Sequence, residues 1–137
     1  MVNEHKDMED LYNAMIESSK SSSRPCIILD CLSFLLYNGY SLKSIVMLVT
    51  KLAHYIIAAQ GTLIVFAHND SADDKDQLMM CDWLRYEAHS VINVAPLASG
   101  VSEGISGQME ISVNKKKSLL LYKQHDTGVS IFARGIF

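Results

Sequence analysis

The chain has 137 residues, 49% of them hydrophobic and 20% charged, which matches a folded globular domain and excludes a disordered chain. Twelve Lys and Arg against fifteen Asp and Glu leave a net charge of −3. Holding nucleic acid by charge alone is thereby excluded, since counterion release needs a basic footprint. At this length one domain with one core is expected, spanning residues 1–137.

The N-terminus is acidic from the start and lacks a basic region followed by an apolar stretch, so it reads as neither a signal peptide nor a transit sequence. Met8, Leu11, Tyr12 and Met15 stand at helical spacing and predict an amphipathic helix over about residues 6–18, within an N-terminal helical segment 1–20. A serine-rich break follows. Residues 26–30, Cys-Ile-Ile-Leu-Asp, form a short, uniformly apolar run that ends in a carboxylate, the pattern of a parallel strand buried on both faces. Residues 31–40 read as a loop with an apolar middle and a turn at Asn38 and Gly39.

Ser41 predicts the N-cap of a long helix over residues 42–59. Its inward face would be Leu42, Ile45, Val46, Val49, Leu52, Ala53 and Ile56, and its outward stripe Lys43, Thr50, Lys51 and His54. The charges in this stretch also exclude a membrane span. Residues 62–67 predict a second buried strand, followed by an acidic loop over 68–76 and a helix over about 75–88. Residues 90–96 read as a third strand, closing an α/β core over 25–97. Three runs near 108–113, 119–123 and 129–133, separated by turns, predict antiparallel strands within 107–135.

Charge is unevenly spread. Six acids and two bases fall in residues 61–90, whereas residues 91–137 carry three acids and five bases. Cys26, Cys31 and Cys81 are odd in number and lack dense spacing, which suits a reducing compartment better than a disulfide scaffold.

Asp30 is the first candidate for chemistry. A carboxylate at the C-terminal end of a buried parallel strand points into the crevice where α/β proteins place ligands, and there it either holds a metal for phosphate chemistry or caps the next turn. A phosphate loop is missing: no G-x-x-x-x-G-K-[ST] occurs, and the stretch with Gly100, Gly104 and Gly107 runs into Gln108. This chain therefore builds no triphosphate site of its own. His68 ends the second strand in the analogous position, as a ligand sensor or as a partner for loop backbone. Asp70, Asp73, Asp74 and Asp76 lack the alternating offsets and closing Glu of a calcium loop, and read as a solvated face. The cysteine and histidine spacings give no zinc site, and no G-x-S-x-G marks a hydrolase. Lys115, Lys116 and Lys117 form a basic tip, either solubilising or in contact with phosphate. Trp83 and Tyr86 read as core or interface anchors. No cofactor, metal or catalytic residue is expected.

Residues 25–33, Pro-Cys-Ile-Ile-Leu-Asp-Cys-Leu-Ser, resemble the degenerate Walker B strand of RecA-like domains. The long helix, residues 61–68 (Gly-Thr-Leu-Ile-Val-Phe-Ala-His) with the acidic loop, residues 107–111 and residues 129–135 follow in the order of that fold. Together, from about residue 8 to 135, they resemble the C-terminal half of the Elongator complex protein 6 family. The resemblance implies an α/β, RecA-like (P-loop NTPase-like) sheet flanked by helices, lacking the half that carries the phosphate loop, with antiparallel C-terminal strands. It implies a non-catalytic subunit of a heterohexameric ring with the fourth and fifth Elongator subunits, a ring that binds tRNA and assists wobble-uridine modification in the cytoplasm, with a nuclear pool also allowed. Asp30 then matches the Walker B position, and His68, Asn69 and Asp70 begin the loop that faces nucleic acid in such rings. Because that loop is acidic here, Lys115, Lys116 and Lys117 are the candidate tRNA contacts. The alternatives are the C-terminal part of a RecA-class ATPase that takes nucleotide with a partner subunit, and a small α/β interaction module. Two strands buried on both faces need neighbours, so the isolated chain is expected to associate.

Overall fold

The computed structural model describes residues 3–70 and 73–133. The elements run α1 (Glu4–Ser19), β1 (Cys26–Leu29), α2 (Leu32–Tyr37), α3 (Leu42–Ala58), β2 (Thr62–Val65), α4 (Lys75–Glu87), β3 (Ser90–Ala95), β4 (Gly107–Val113), β5 (Lys116–His125) and β6 (Gly128–Ala133). The fold is α/β, with a two-stranded parallel sheet β1-β2 and a four-stranded antiparallel sheet β3-β4-β5-β6. The chain divides into two compact units, residues 1–84 and 85–137.

In the first unit α3 is the central element. Its helix begins where the sequence places it, with the Ser41 hydroxyl accepting from the Ser44 amide at 3.2 Å. Ile45, Leu48, Val49, Leu52 and Ile56 are buried along one stripe, while Lys43, Thr50, Lys51 and His54 face outward as expected. Met8 of α1, Ile27 of β1, Leu32 of α2 and Met80 of α4 complete the core. Each such buried side chain contributes about 1.5–3 kcal/mol relative to an exposed one.

Residues 31–40 are more ordered than a loop, because α2 forms there. At six residues the helix is too short for its periodicity to show, and packing of Leu32 and Ser33 into the core stabilises it.

α1 lies parallel to α3 and is tied to it at both ends. Near the helix starts, Glu4 accepts from the Ser41 amide at 3.0 Å and from the Ser41 and Ser44 hydroxyls at 2.7 and 2.6 Å. Near the helix ends, the Ser19 and Tyr55 hydroxyls share a hydrogen bond of 2.8 Å. The Ser44 and Ser41 hydroxyls hold the Glu4 carboxyl below its ordinary value of 4.5. A carboxylate whose folded pKa is depressed adds stability that is present above its unfolded pKa and lost as pH falls through the folded one. Melting temperature is therefore expected to fall as pH drops below about 4.5, and Glu4→Gln should flatten part of that fall. Parallel pH–melting curves for the wild type and the variant would exclude this latch.

The parallel strands depart from the sequence expectation in one respect. They pair in register, Cys26 with Thr62 through Leu29 with Val65, but only one face is buried. Ile27 sits in the core, whereas Ile28 is 58%, Ile64 40% and Phe66 51% exposed. The core formed by the helices lies on the Ile27 face. A uniformly apolar run asks for cover on both sides, and among the described residues only one side receives it.

In the second unit, β3 follows α4 directly and pairs antiparallel with β4, so the third predicted strand joins the antiparallel sheet. The β4–β5 hairpin is closed by Asn114 and Lys115 at φ 49° and 64°, the left-handed pair of a two-residue type I′ turn. Because a strand alternates its faces, Met109, Ile111 and Val113 share one side of β4 with Ile92 and Val94 of β3. Gln108, Glu110 and Ser112 take the other side. Residues 134 and 135, the end of the predicted antiparallel stretch, lie outside the described residues.

Candidate functional site

The carboxyl ends of β1 and β2 lie side by side, and they carry Asp30 and the segment that begins with His68. The pairing continues past the strands: the Phe66 amide donates to the Leu29 carbonyl and the Leu32 amide donates to the Phe66 carbonyl, both at 2.9 Å. Asp30 leaves between these two rungs with its side chain in solvent. Asp30 and His68 are thus at one end of one sheet, as their strand positions require.

What fixes this end is a buried polar cluster that the residues in order do not announce. The Ser33 hydroxyl accepts from the His68 amide at 2.9 Å and from Gln77 Nε2 at 2.7 Å. Gln77 Nε2 also donates to the His68 carbonyl, and the Cys81 thiol donates to that carbonyl at 3.3 Å. Both Ser33 and Gln77 are fully buried. The His68 backbone is therefore held through its amide and its carbonyl by side chains from α2 and α4, while its imidazole remains exposed. One local signal could have pointed to Gln77. Asp74 and Gln77 stand at capping-box spacing, and the Asp74 carboxylate does accept from the Gln77 amide at 3.0 Å. In a capping box the Gln side chain would reach back to the cap; here it turns into the core.

Asn69 and Asp70 continue the exposed segment, and Ser71 and Ala72 lie outside the described residues. Asp74 is taken up in capping α4, and Asp76 sits in the first turn, where a carboxylate favours the helix dipole. Among the described residues no group of three His, Cys, Asp or Glu side chains is placed to hold a metal ion. No helix among them is long and apolar enough to cross a membrane.

The lysine tip is divided by the hairpin geometry. Lys115 is in the turn, while Lys116 and Lys117 open β5 and alternate to opposite faces. Lys117 Nζ lies 3.5 Å from Glu110 Oε1 across the strands, an exposed pair worth little in stability but enough to occupy one of the three charges. Trp83 is half-buried against the first unit's core, as an anchor would be, and Tyr86 is exposed.

Comparison with known proteins adds what geometry alone does not. A family model described as Elongation complex protein 6 matches residues 2–132. The curated Elongator complex protein 6 of Danio rerio is 29% identical over 145 aligned residues, covering 93% of this chain and 54% of the relative. The chain thus spans about half the length of the curated relative it matches.

Proposed function

This chain belongs to the Elongation complex protein 6 family, and on that premise we propose that it acts as a non-catalytic RecA-like subunit of Elongator. In this reading it builds an accessory ring with the fourth and fifth Elongator subunits, and the ring holds tRNA for wobble-uridine modification in the cytoplasm, with a nuclear pool. The observation that carries the reading is the family match across residues 2–132. The parallel β1-β2 pair joined through α3 supports a RecA-like half-sheet, since a parallel connection needs such a crossover.

A second reading rests on Asp30, whose exposed carboxylate at the end of β1 is where a RecA-class ATPase would hold magnesium. One reconstitution tests both. Co-expression with the fourth and fifth Elongator subunits should give a single assembly that binds tRNA without consuming ATP. In that assembly, changing Lys115, Lys116 and Lys117 to Ala should weaken tRNA binding several-fold and reduce its salt slope, by about one for each phosphate deprived of its lysine. Lys117 should contribute least, because Glu110 already opposes it. Failure to co-purify would overturn the subunit reading. Magnesium–ATP turnover lost on Asp30→Ala would favour the ATPase.

A further inference from the structure

We infer that Asn38 and Gly39 form a deamidation site that the cap of α2 holds shut, and whose reaction, once it has occurred, loosens the backbone of His68. The inference rests on the geometry of the first unit and is independent of family membership, tRNA and the other subunits. Its only co-reactant is water.

Asparagine is a thermolabile residue, and it is most reactive before glycine, where no Cβ hinders the following nitrogen. Of the six asparagines only Asn38 precedes a glycine. Both residues are exposed, and a Cβ at Gly39 would meet nothing within 4 Å, so a ring has room to form. In the reaction the Gly39 nitrogen gives its proton to solvent and attacks Asn38 Cγ. The N–Cγ bond forms, the Cγ–Nδ2 bond breaks, and Nδ2 takes up a proton and leaves as ammonia. Water then opens the cyclic imide. Opening at Cγ gives aspartate; opening at the main-chain carbonyl gives isoaspartate, in which the backbone runs through the former side chain.

In the folded chain both reacting groups are engaged. Asn38 ends α2, and Gly39 follows in the left-handed region at φ 88°. The Gly39 amide donates to the Leu36 carbonyl and the Tyr40 amide to the Leu35 carbonyl, both at 3.1 Å, the paired bonds of a Schellman cap. Asn38 Nδ2 donates to the Phe34 carbonyl at 2.7 Å. Ring closure needs the Gly39 nitrogen nearly eclipsed with Asn38 Cβ, far from the ψ of 11° that Asn38 adopts. The last turn of α2 must therefore open before the reaction can start. Leu35 and Tyr40 pack against the core, and the Tyr40 hydroxyl donates to the Asp7 carboxylate at 3.0 Å, which holds the cap closed.

The product cannot rebuild this cap. A carboxylate has no proton for the Phe34 carbonyl, and it stands at the helix end where the dipole disfavours negative charge. Isoaspartate also adds a backbone carbon before Gly39, which puts the two cap bonds out of register. With six residues α2 has little stability of its own. It carries Ser33, whose hydroxyl accepts from the His68 amide at 2.9 Å. Losing the cap at one end of α2 thus reaches the His68 segment held at the other.

The test is to age the full 137-residue chain in mildly alkaline buffer, with and without urea. Peptide mass mapping reads the conversion of amide to acid, and enzymatic carboxyl methylation reads isoaspartate. In urea, Asn38 should convert faster than each of the other five asparagines. In the folded chain its conversion should be at least about tenfold slower than in urea. Converted folded chains, separated by their added negative charge, should exchange the His68 amide at least about threefold faster than unconverted ones. Asn38→Asp installs one product directly and should do the same. Conversion of Asn38 in urea no faster than that of the other asparagines would overturn the proposal, as would equal rates in the folded and unfolded chain. So would wild-type exchange at His68 in both the converted chain and Asn38→Asp.

Discussion

Gly61→Ala is expected to destabilise the first unit by about 3 kcal/mol, at the upper end of the usual overpacking cost. Gly61 joins the end of α3 to the start of β2, and its amide donates to the Ile56 carbonyl at 2.9 Å. A Cβ built there would overlap the Pro25 carbonyl oxygen and stand 3.0 Å from Ile56 Cδ1. The overlap is with backbone, which cannot swing aside as a side-chain tip would. The same Pro25 oxygen accepts from the Thr62 amide at 2.9 Å, the first rung between β1 and β2. Relieving the clash therefore means moving the strands apart. Urea denaturation measures this directly, and Gly61→Val should be worse. A variant that unfolds at the wild-type midpoint would show that the two segments approach less closely than the structure indicates.

Gln77→Leu is expected to cost about 2 kcal/mol, and to do so without leaving a cavity, since the two side chains are similar in size. The loss is polar. The Ser33 hydroxyl and the His68 carbonyl would each lose a donor inside the core. Removing one partner of a buried hydrogen bond costs about 1–3 kcal/mol, most of it desolvation of the group left behind. Part of this is offset, because Gln77 Oε1 is itself buried without a partner among the described residues and Leu removes it. The second expected readout is local: faster amide exchange at His68, whose N–H reaches the same Ser33 hydroxyl. Loss of stability with unchanged exchange at His68 would separate the cluster from control of the loop.

That cluster marks the limit of what is legible from the residues in order. Asp30 and His68 could be placed at the end of the sheet, because each closes an apolar run and parallel strands bring such ends together. Ser33 lies in a stretch whose sequence reads as loop, and the capping-box spacing of Gln77 from Asp74 marks a helix start without saying that the Gln77 side chain turns into the core. Their meeting links residues 44 apart in sequence, and no local pattern carries that distance. The lysine run likewise reads as one patch. Only strand register reveals that Lys116 and Lys117 face opposite ways.

The amino-acid order alone determined α3 from its Ser41 cap through its buried stripe, the positions of the six strands, the α/β class and the family resemblance. Those features depend on caps and on periods of two and 3.6, which act over a few residues. The tertiary structure alone decided that Gln77 turns inward to hold His68, that the apolar run over residues 26–29 is covered on one face, and that β3 joins the antiparallel sheet. Each depends on which distant surface is present to complete a hydrogen bond or exclude water, and burial is a property of the assembled neighbours, not of the segment that needs them.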